Sequence, residues 1–263
     1  MTGAVLVVAA VLYTVGLRRY DARRPGAEFS RRRVSAFAAG LAALALALMG
    51  PVERLAGERF SWHMVQHLLL VMVAPPLVLL GRPLLLARRA SSPRARRTLN
   101  SALRSRAVHA LTHPVVAWAA FVSVLWATHF TGLYQLALTS GWIHAAEHGL
   151  YFGVGLLFWF PVVGAEPSPR RLGNGGRLLY LFTAAAAGAL LASTLYQSER
   201  VLYPAYGGAG ALADQHAAGA IMWIGEGLLF LFALLMVTAS WARHDRREAD
   251  RADSRVDRLS ATP

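Results

Sequence analysis

Long apolar runs alternate with short polar stretches along the whole chain. The runs cover residues 2–17, 34–50, 61–81, 107–127, 141–163, 178–196 and 214–241. A helix needs ~20 mostly apolar residues to cross a hydrocarbon core ~30 Å thick. Most of the runs reach that length, and the first two are short. The pattern predicts an all-α, polytopic membrane protein with seven transmembrane helices. The first run also has the length of a signal-peptide core, but its basic residues, Arg18, Arg19, Arg23 and Arg24, follow the core and do not precede it. It is therefore read as an uncleaved anchor.

The polar stretches orient the runs. Segments 18–33, 82–106, 164–177 and 242–263 hold 24 of the 27 arginines, and the intervening stretches hold only Arg54, Arg59 and Arg200. Basic loops stay in the cytoplasm, so strict alternation predicts the N-terminus outside and the C-terminus cytoplasmic. Residues 1–241 then form the membrane domain. Residues 242–263, opening with His244, Asp245, Arg246, Arg247 and Glu248, form a charged cytoplasmic tail.

Composition agrees. Hydrophobic residues make up 56% and charged residues 16% of the chain, against roughly 25% charged in a soluble domain. Mean hydropathy is +0.41. The net charge of +13 invites a nucleic-acid reading, which is rejected: there is no lysine, and the arginines stand in blocks between apolar runs. Such blocks set topology and contact anionic lipid headgroups. With no cysteine, disulfides, thiolate metal sites and cysteine nucleophiles are excluded.

Once the spans are oriented, histidines gather at one face. His63 and His67 begin the third span, His129 ends the fourth, His144 and His148 begin the fifth, and His216 lies beside Asp214 and Gln215 at the start of the seventh. Residues i and i+4 share a helix face. His63 thus pairs with His67, with Met64 at the edge of that face, and His144 pairs with His148, with Glu147 and Tyr151 on the same stripe. A lone interfacial histidine is ordinarily just hydrated, but two pairs at one depth with carboxylates beside them point to a metal site. Ionisable groups in spans are costly and mark function, and neutral imidazole suits copper, zinc, iron and nickel. The candidate ligands are His63, His67, His144, His148, Asp214, Met64, Glu147, His129 and His216. Met72 and Met222, like Met64, could be soft ligands, although methionine in a span is more often a gap-filler. Glu226, deep in the last span, reads as a proton relay, a supporting partner or an interhelical hydrogen-bonding group. Pro75, Pro76 and Pro161 predict kinks whose freed carbonyls need local partners.

The run Phe60-Ser61-Trp62-His63-Met64-Val65-Gln66-His67, continuing to Ala74-Pro75-Pro76-Leu77 and Gly81, resembles the third-span signature of the caa-type cytochrome c oxidase assembly factor (CtaG) family. His129 with Leu133-Tyr134 and Ala137 resembles it too, as do His144-Ala145-Ala146-Glu147-His148 leading to Gly155 and Trp159, and Asp214-Gln215-His216 leading to Met222-Trp223. The family pattern carries Gln where His216 stands and Pro-Gly where Gly225-Glu226 stands. The resemblance implies a non-enzymatic role in maturing a haem–copper terminal oxidase in the bacterial plasma membrane. Copper would come from outside, through a periplasmic donor, and pass to an oxidase subunit. Two alternatives use the same residues. One is a ceramidase-like zinc hydrolase with Glu147 or Asp214 as base, and the other is a bis-histidine haem protein. A metal-free scaffold is the remaining reading.

Overall fold

Every regular element among the described residues is a helix; the structure, a computed structural model, describes residues 2–23, 28–131, 140–164 and 172–260. Leu133, Tyr134 and Ala137, which carry part of the resemblance, lie outside them, as do Arg24, Arg170 and Arg171 of the arginine blocks. Helices α1 (Thr2–Arg23) and α2 (Arg31–Met49) are followed by a short α3 (Pro51–Glu58). The third span is composite: α4 (Phe60–Leu68), a π-helical stretch (Leu69–Val73) and α5 (Ala74–Leu80). The basic segment after it folds as α6 (Pro83–Ala90), α7 (Pro93–Leu103) and α8 (Arg106–Leu111). Next come α9 (Pro114–Phe130), α10 (Gly141–Val163), α11 (Asn174–Gln197), a 3₁₀ turn (Pro204–Tyr206) and α12 (Ala211–Ser260). Six helical stretches are long and apolar enough to cross a membrane, and α9 is a shorter apolar helix. The fold is therefore the all-α, seven-helix arrangement that the apolar runs predict.

Local chemistry moves several boundaries. The fourth span begins at Pro114, not at residue 107. Proline has no N–H to continue α8, and it fits the first turn of a new helix. His113 caps that turn, its Nδ1 accepting from the Val115 N–H at 3.3 Å. In the third span Pro75 deprives the Val71 carbonyl of its helical donor. The Trp159 indole N–H supplies a substitute at 3.0 Å. Gly155 permits this approach of α10, since a Cβ there would lie 2.7 Å from Pro75 Cγ and 2.9 Å from the Val71 carbonyl oxygen. The span then turns at Arg82, the only non-glycine residue with positive φ (50°) among the described residues, and Pro83 opens α6.

Helices α11 and α12 pack along their length, and α12 also packs on α4. Helix α10 packs against α5 and α9, and α2 packs against α5. Phe158 lies at the centre, its ring 4.1 Å from Phe121, 4.9 Å from Tyr180 and 6.0 Å from Phe230. Helix α1 is peripheral. Tyr13 stacks on Phe37 at 3.8 Å and donates to the Gly81 carbonyl at 2.8 Å, while Val5, Val8 and Leu12 are exposed on a face suited to lipid. Beyond Trp241 α12 runs on without a break to Ser260.

Candidate metal centre

Four helices bring polar side chains to one end of the bundle: α3 with Glu53, the start of α4 with His63 and His67, the last turn of α9 with His129, and the start of α10 with His144, Glu147 and His148. His63, His67, His129, Glu147 and His148 are all buried, and Glu53 and His144 are half-buried. The i,i+4 spacing brings the rings of each histidine pair together, edge to face with centroids 4.1 Å apart for His63–His67 and tilted at 4.2 Å for His144–His148. His63 lies 5.9 Å from His144, and His67 lies 6.3 Å from His129.

Two sets of potential ligands result. His63, His67 and Glu147 each offer an atom within 4.8 Å of the others, and so do Glu53, His144 and His148. Each set has two imidazoles and one carboxylate, and His63 and His144 adjoin where the sets meet. Both ring nitrogens of His67, Nε2 of His129, His144 and His148, and Oε2 of Glu147 are buried with no hydrogen-bond partner among the described residues. Leaving so many polar atoms unsatisfied in a low-dielectric interior is expensive. A small cation bound by these lone pairs removes that cost.

Neighbouring groups set ring orientation and tautomer, as they do for metal-ligating histidines generally. His129 Nδ1 lies 2.7 Å from the Leu125 carbonyl, which can only accept, so the proton sits on Nδ1 and the lone pair on Nε2. The Tyr206 hydroxyl donates to the Ala56 carbonyl at 2.8 Å and lies 3.3 Å from His63 Nδ1. It therefore accepts from Nδ1–H. Tyr151 stacks on His67 at 4.0 Å and is itself held by Thr128, whose hydroxyl is 2.6 Å from its own. The segment 198–210 covers the cluster. Tyr203 donates to the His129 carbonyl at 2.9 Å, and burial pushes its phenol pKa up, which keeps it a donor.

Asp214 and His216, both expected among the ligands, are engaged elsewhere. The Asp214 carboxylate caps α4, accepting from the Phe60 N–H at 2.7 Å, the Ser61 N–H at 3.3 Å and the Ser61 hydroxyl at 2.5 Å. Anions at a helix N-terminus are favoured by its unsatisfied N–H groups and dipole, and this cap fixes the helix that carries His63 and His67. His216 Nε2 bonds the Ser198 carbonyl at 2.9 Å. Beside it, Gln215 accepts from the Leu202 N–H at 2.7 Å and donates to the Arg200 carbonyl at 3.0 Å. The last-span motif thus holds the covering segment in place. Met64 is buried behind the histidines. Glu53, absent from the expected ligands, comes into the site because 51–59, read from sequence as a loop, folds as α3. Gln66 Nε2 donates to both the Glu53 carboxylate and, at 2.8 Å, the Ala47 carbonyl.

The chain is 31% identical to the uncharacterized protein Mb0105 of Mycobacterium bovis over 98% of its length, and 30% identical to the uncharacterized protein ML1998 of Mycobacterium leprae over the same share. It spans 41% of the length of each of those relatives. No solved structure matches it. A family model described as cytochrome c oxidase caa3 assembly factor (Caa3_CtaG) matches residues 11–244. That stretch contains every histidine of the cluster, its capping aspartate and its covering segment, and the chain belongs to this family.

Proposed function

We propose that this protein is a non-catalytic copper carrier for the assembly of a haem–copper oxidase. It lies in the bacterial plasma membrane with the histidine cluster facing out, binds extracytoplasmic copper there, and delivers it to an oxidase subunit. The observation that carries this reading is the pair of adjoining two-histidine, one-carboxylate sets at one end of the bundle. Imidazole and carboxylate bind copper well in the order of divalent-metal affinities, and the absence of thiolate leaves the ion transferable. Family membership supports the oxidase as recipient. The carboxylates within both sets favour a small ion over haem, which takes paired axial imidazoles.

The same donors suit zinc, so metal identity is the first test. Protein purified in detergent should bind copper reversibly, and His67→Ala or His148→Ala should each weaken binding at least tenfold. Cells lacking the protein should make the oxidase polypeptides but with copper missing from the haem–copper centre. Tightly held stoichiometric zinc, or a deletion strain with fully metallated oxidase, would refute the proposal.

A further inference from the structure

Deeper in the bundle, below the histidine cluster, lies a small cavity of about 20 Å³ bordered by Met64, His67, Met72, His129, Met222 and Glu226. A space of that size holds about one water-sized occupant. Glu226 is 12 residues beyond Asp214 on α12, about 18 Å along the axis at 1.5 Å per residue, which is more than halfway through a ~30 Å core. Three of the chain's six methionines meet here. Met64, His67 and Met72 come from one face of the third span, and Met72 lies in the π-helical stretch, a distortion frequent at functional sites.

Methionine is usually a gap-filler, but these three border a gap that they leave open. Three polar side chains share the wall. His67 Nδ1 and Nε2, His129 Nε2 and Glu226 Oε1 are buried with no hydrogen-bond partner among the described residues, and the three residues are 5%, 5% and 4% exposed. Glu226 is seated by Gly188 on α11, where any Cβ would collide with its carboxylate. A glycine has thus made room for a carboxyl group at mid-membrane depth. Thioether sulfurs beside imidazole select Cu(I) over harder ions, and one carboxylate balances a single positive charge.

We infer that the cavity bordered by Met64, Met72, Met222, His67, His129 and Glu226 is a second, Cu(I)-selective site, joined to the outer cluster through His67. His67 belongs to the outer set with His63 and Glu147 and also borders the cavity. Its single lone pair can therefore serve the outer set and the cavity in turn, through a change of tautomer or ring orientation, and the ion moves inward as Cu(I) with no change of charge. The inference rests on the reading of the outer cluster as a copper site, and it explains how an ion bound near the surface reaches the depth at which a membrane-embedded centre is loaded.

The test uses the full chain in detergent, loaded anaerobically with Cu(I). Retained copper is measured against a chromophoric chelator, and the ligand atoms are read by X-ray absorption at the copper edge. Wild type should show sulfur neighbours. Replacing Met64, Met72 and Met222 together by Leu, a nearly volume-conserving change, should abolish the sulfur signal and lower retained copper by one equivalent while leaving nitrogen-bound copper in place. A Glu53→Ala, His144→Ala, His148→Ala variant, which alters no cavity residue, should keep the sulfur signal and lose only the nitrogen-bound copper of its own set, the His63, His67 and Glu147 set remaining. Wild-type copper with only nitrogen and oxygen neighbours overturns the inference even if the methionine variant fails to fold, and it leaves the outer copper site standing. Sulfur-bound copper that the outer variant retains undiminished, with no nitrogen-bound copper lost, supports the inner site and refutes copper binding by Glu53, His144 and His148.

Discussion

Replacing Asp214 separates positioning from ligation. Its carboxylate makes three hydrogen bonds to the first residues of α4. Losing an N-cap costs about 0.5–2 kcal/mol. Losing an anion from a partly buried helix N-terminus costs up to about 2 kcal/mol more. The two effects overlap, so Asp214→Ala should destabilise the protein by about 2–3 kcal/mol, a change of roughly 30- to 150-fold in the folding equilibrium. Asp214→Asn keeps an acceptor for the Phe60 N–H and loses the charge, so it should cost about 1 kcal/mol. Denaturant titration in mixed micelles measures these differences, and copper competition on the folded protein measures affinity. Because the carboxylate is occupied at α4, Asp214→Asn should bind copper within about threefold of wild type, while His67→Ala should lose at least about tenfold, or 1.4 kcal/mol. If Asp214→Asn folds stably yet loses copper as completely as His67→Ala, the carboxylate is a ligand and the capping account is wrong.

Glu53→Gln should lower copper affinity roughly tenfold while leaving stability within about 1 kcal/mol, because the amide can still pair with Gln66; unchanged affinity in a competition assay would remove Glu53 from the site. Trp159→Phe should destabilise by about 1–3 kcal/mol on unfolding, since Pro75 leaves the Val71 carbonyl no other helical donor; a neutral result would show that this carbonyl finds another partner. Gly155→Ala places a methyl against Pro75 and the Val71 backbone, so it should cost about 1–3 kcal/mol or more in the same assay. Wild-type stability there would mean that α10 does not approach α5 as closely as described.

The apolar runs located the spans because helix length and hydrocarbon thickness are tied together, and the i,i+4 histidine pairs were visible because a single helix fixes their spacing. Boundaries failed where one residue's backbone chemistry overruled mean hydropathy, as at Pro114. The face bearing His63, His67, His144 and His148 was legible one helix at a time. The juxtaposition of the two pairs, with His63 and His144 5.9 Å apart, depends on tertiary packing that no local period encodes. Glu53 was hidden because an eight-residue helix between two spans resembles a polar loop. Asp214 is the opposite case: its place beside a histidine predicts a ligand, and its carboxylate bonds residues more than 150 positions away. Met64 stands out beside a histidine, but that Met72 and Met222 border the same cavity depends on packing between helices.

Charge bears on the proposal that these groups form stations for a cation. Arg54, Arg59 and Arg200, the only basic side chains in the stretches on the histidine face, are exposed, and Glu147 has an oxygen with no partner among the described residues. A buried carboxylate without a counter-charge costs several kcal/mol, and charged groups kept in spans against that cost mark ion pathways. Each ligand set contains one carboxylate, Glu53 or Glu147, and the deeper cavity contains one more, Glu226. A monovalent cation makes each station neutral, whereas a divalent ion leaves a net positive charge in low dielectric at every step, and the excess grows costlier with depth. The donors change in the same direction, from imidazole and carboxylate at the end of the bundle to thioether at its middle. Under the proposed copper reading, charge balance and ligand softness favour the same ion, Cu(I), and a soft monovalent ion such as Ag(I) should compete for the deep cavity more effectively than Zn(II). A cavity that prefers Zn(II) to Ag(I) in direct competition would break this agreement and refute the charge argument.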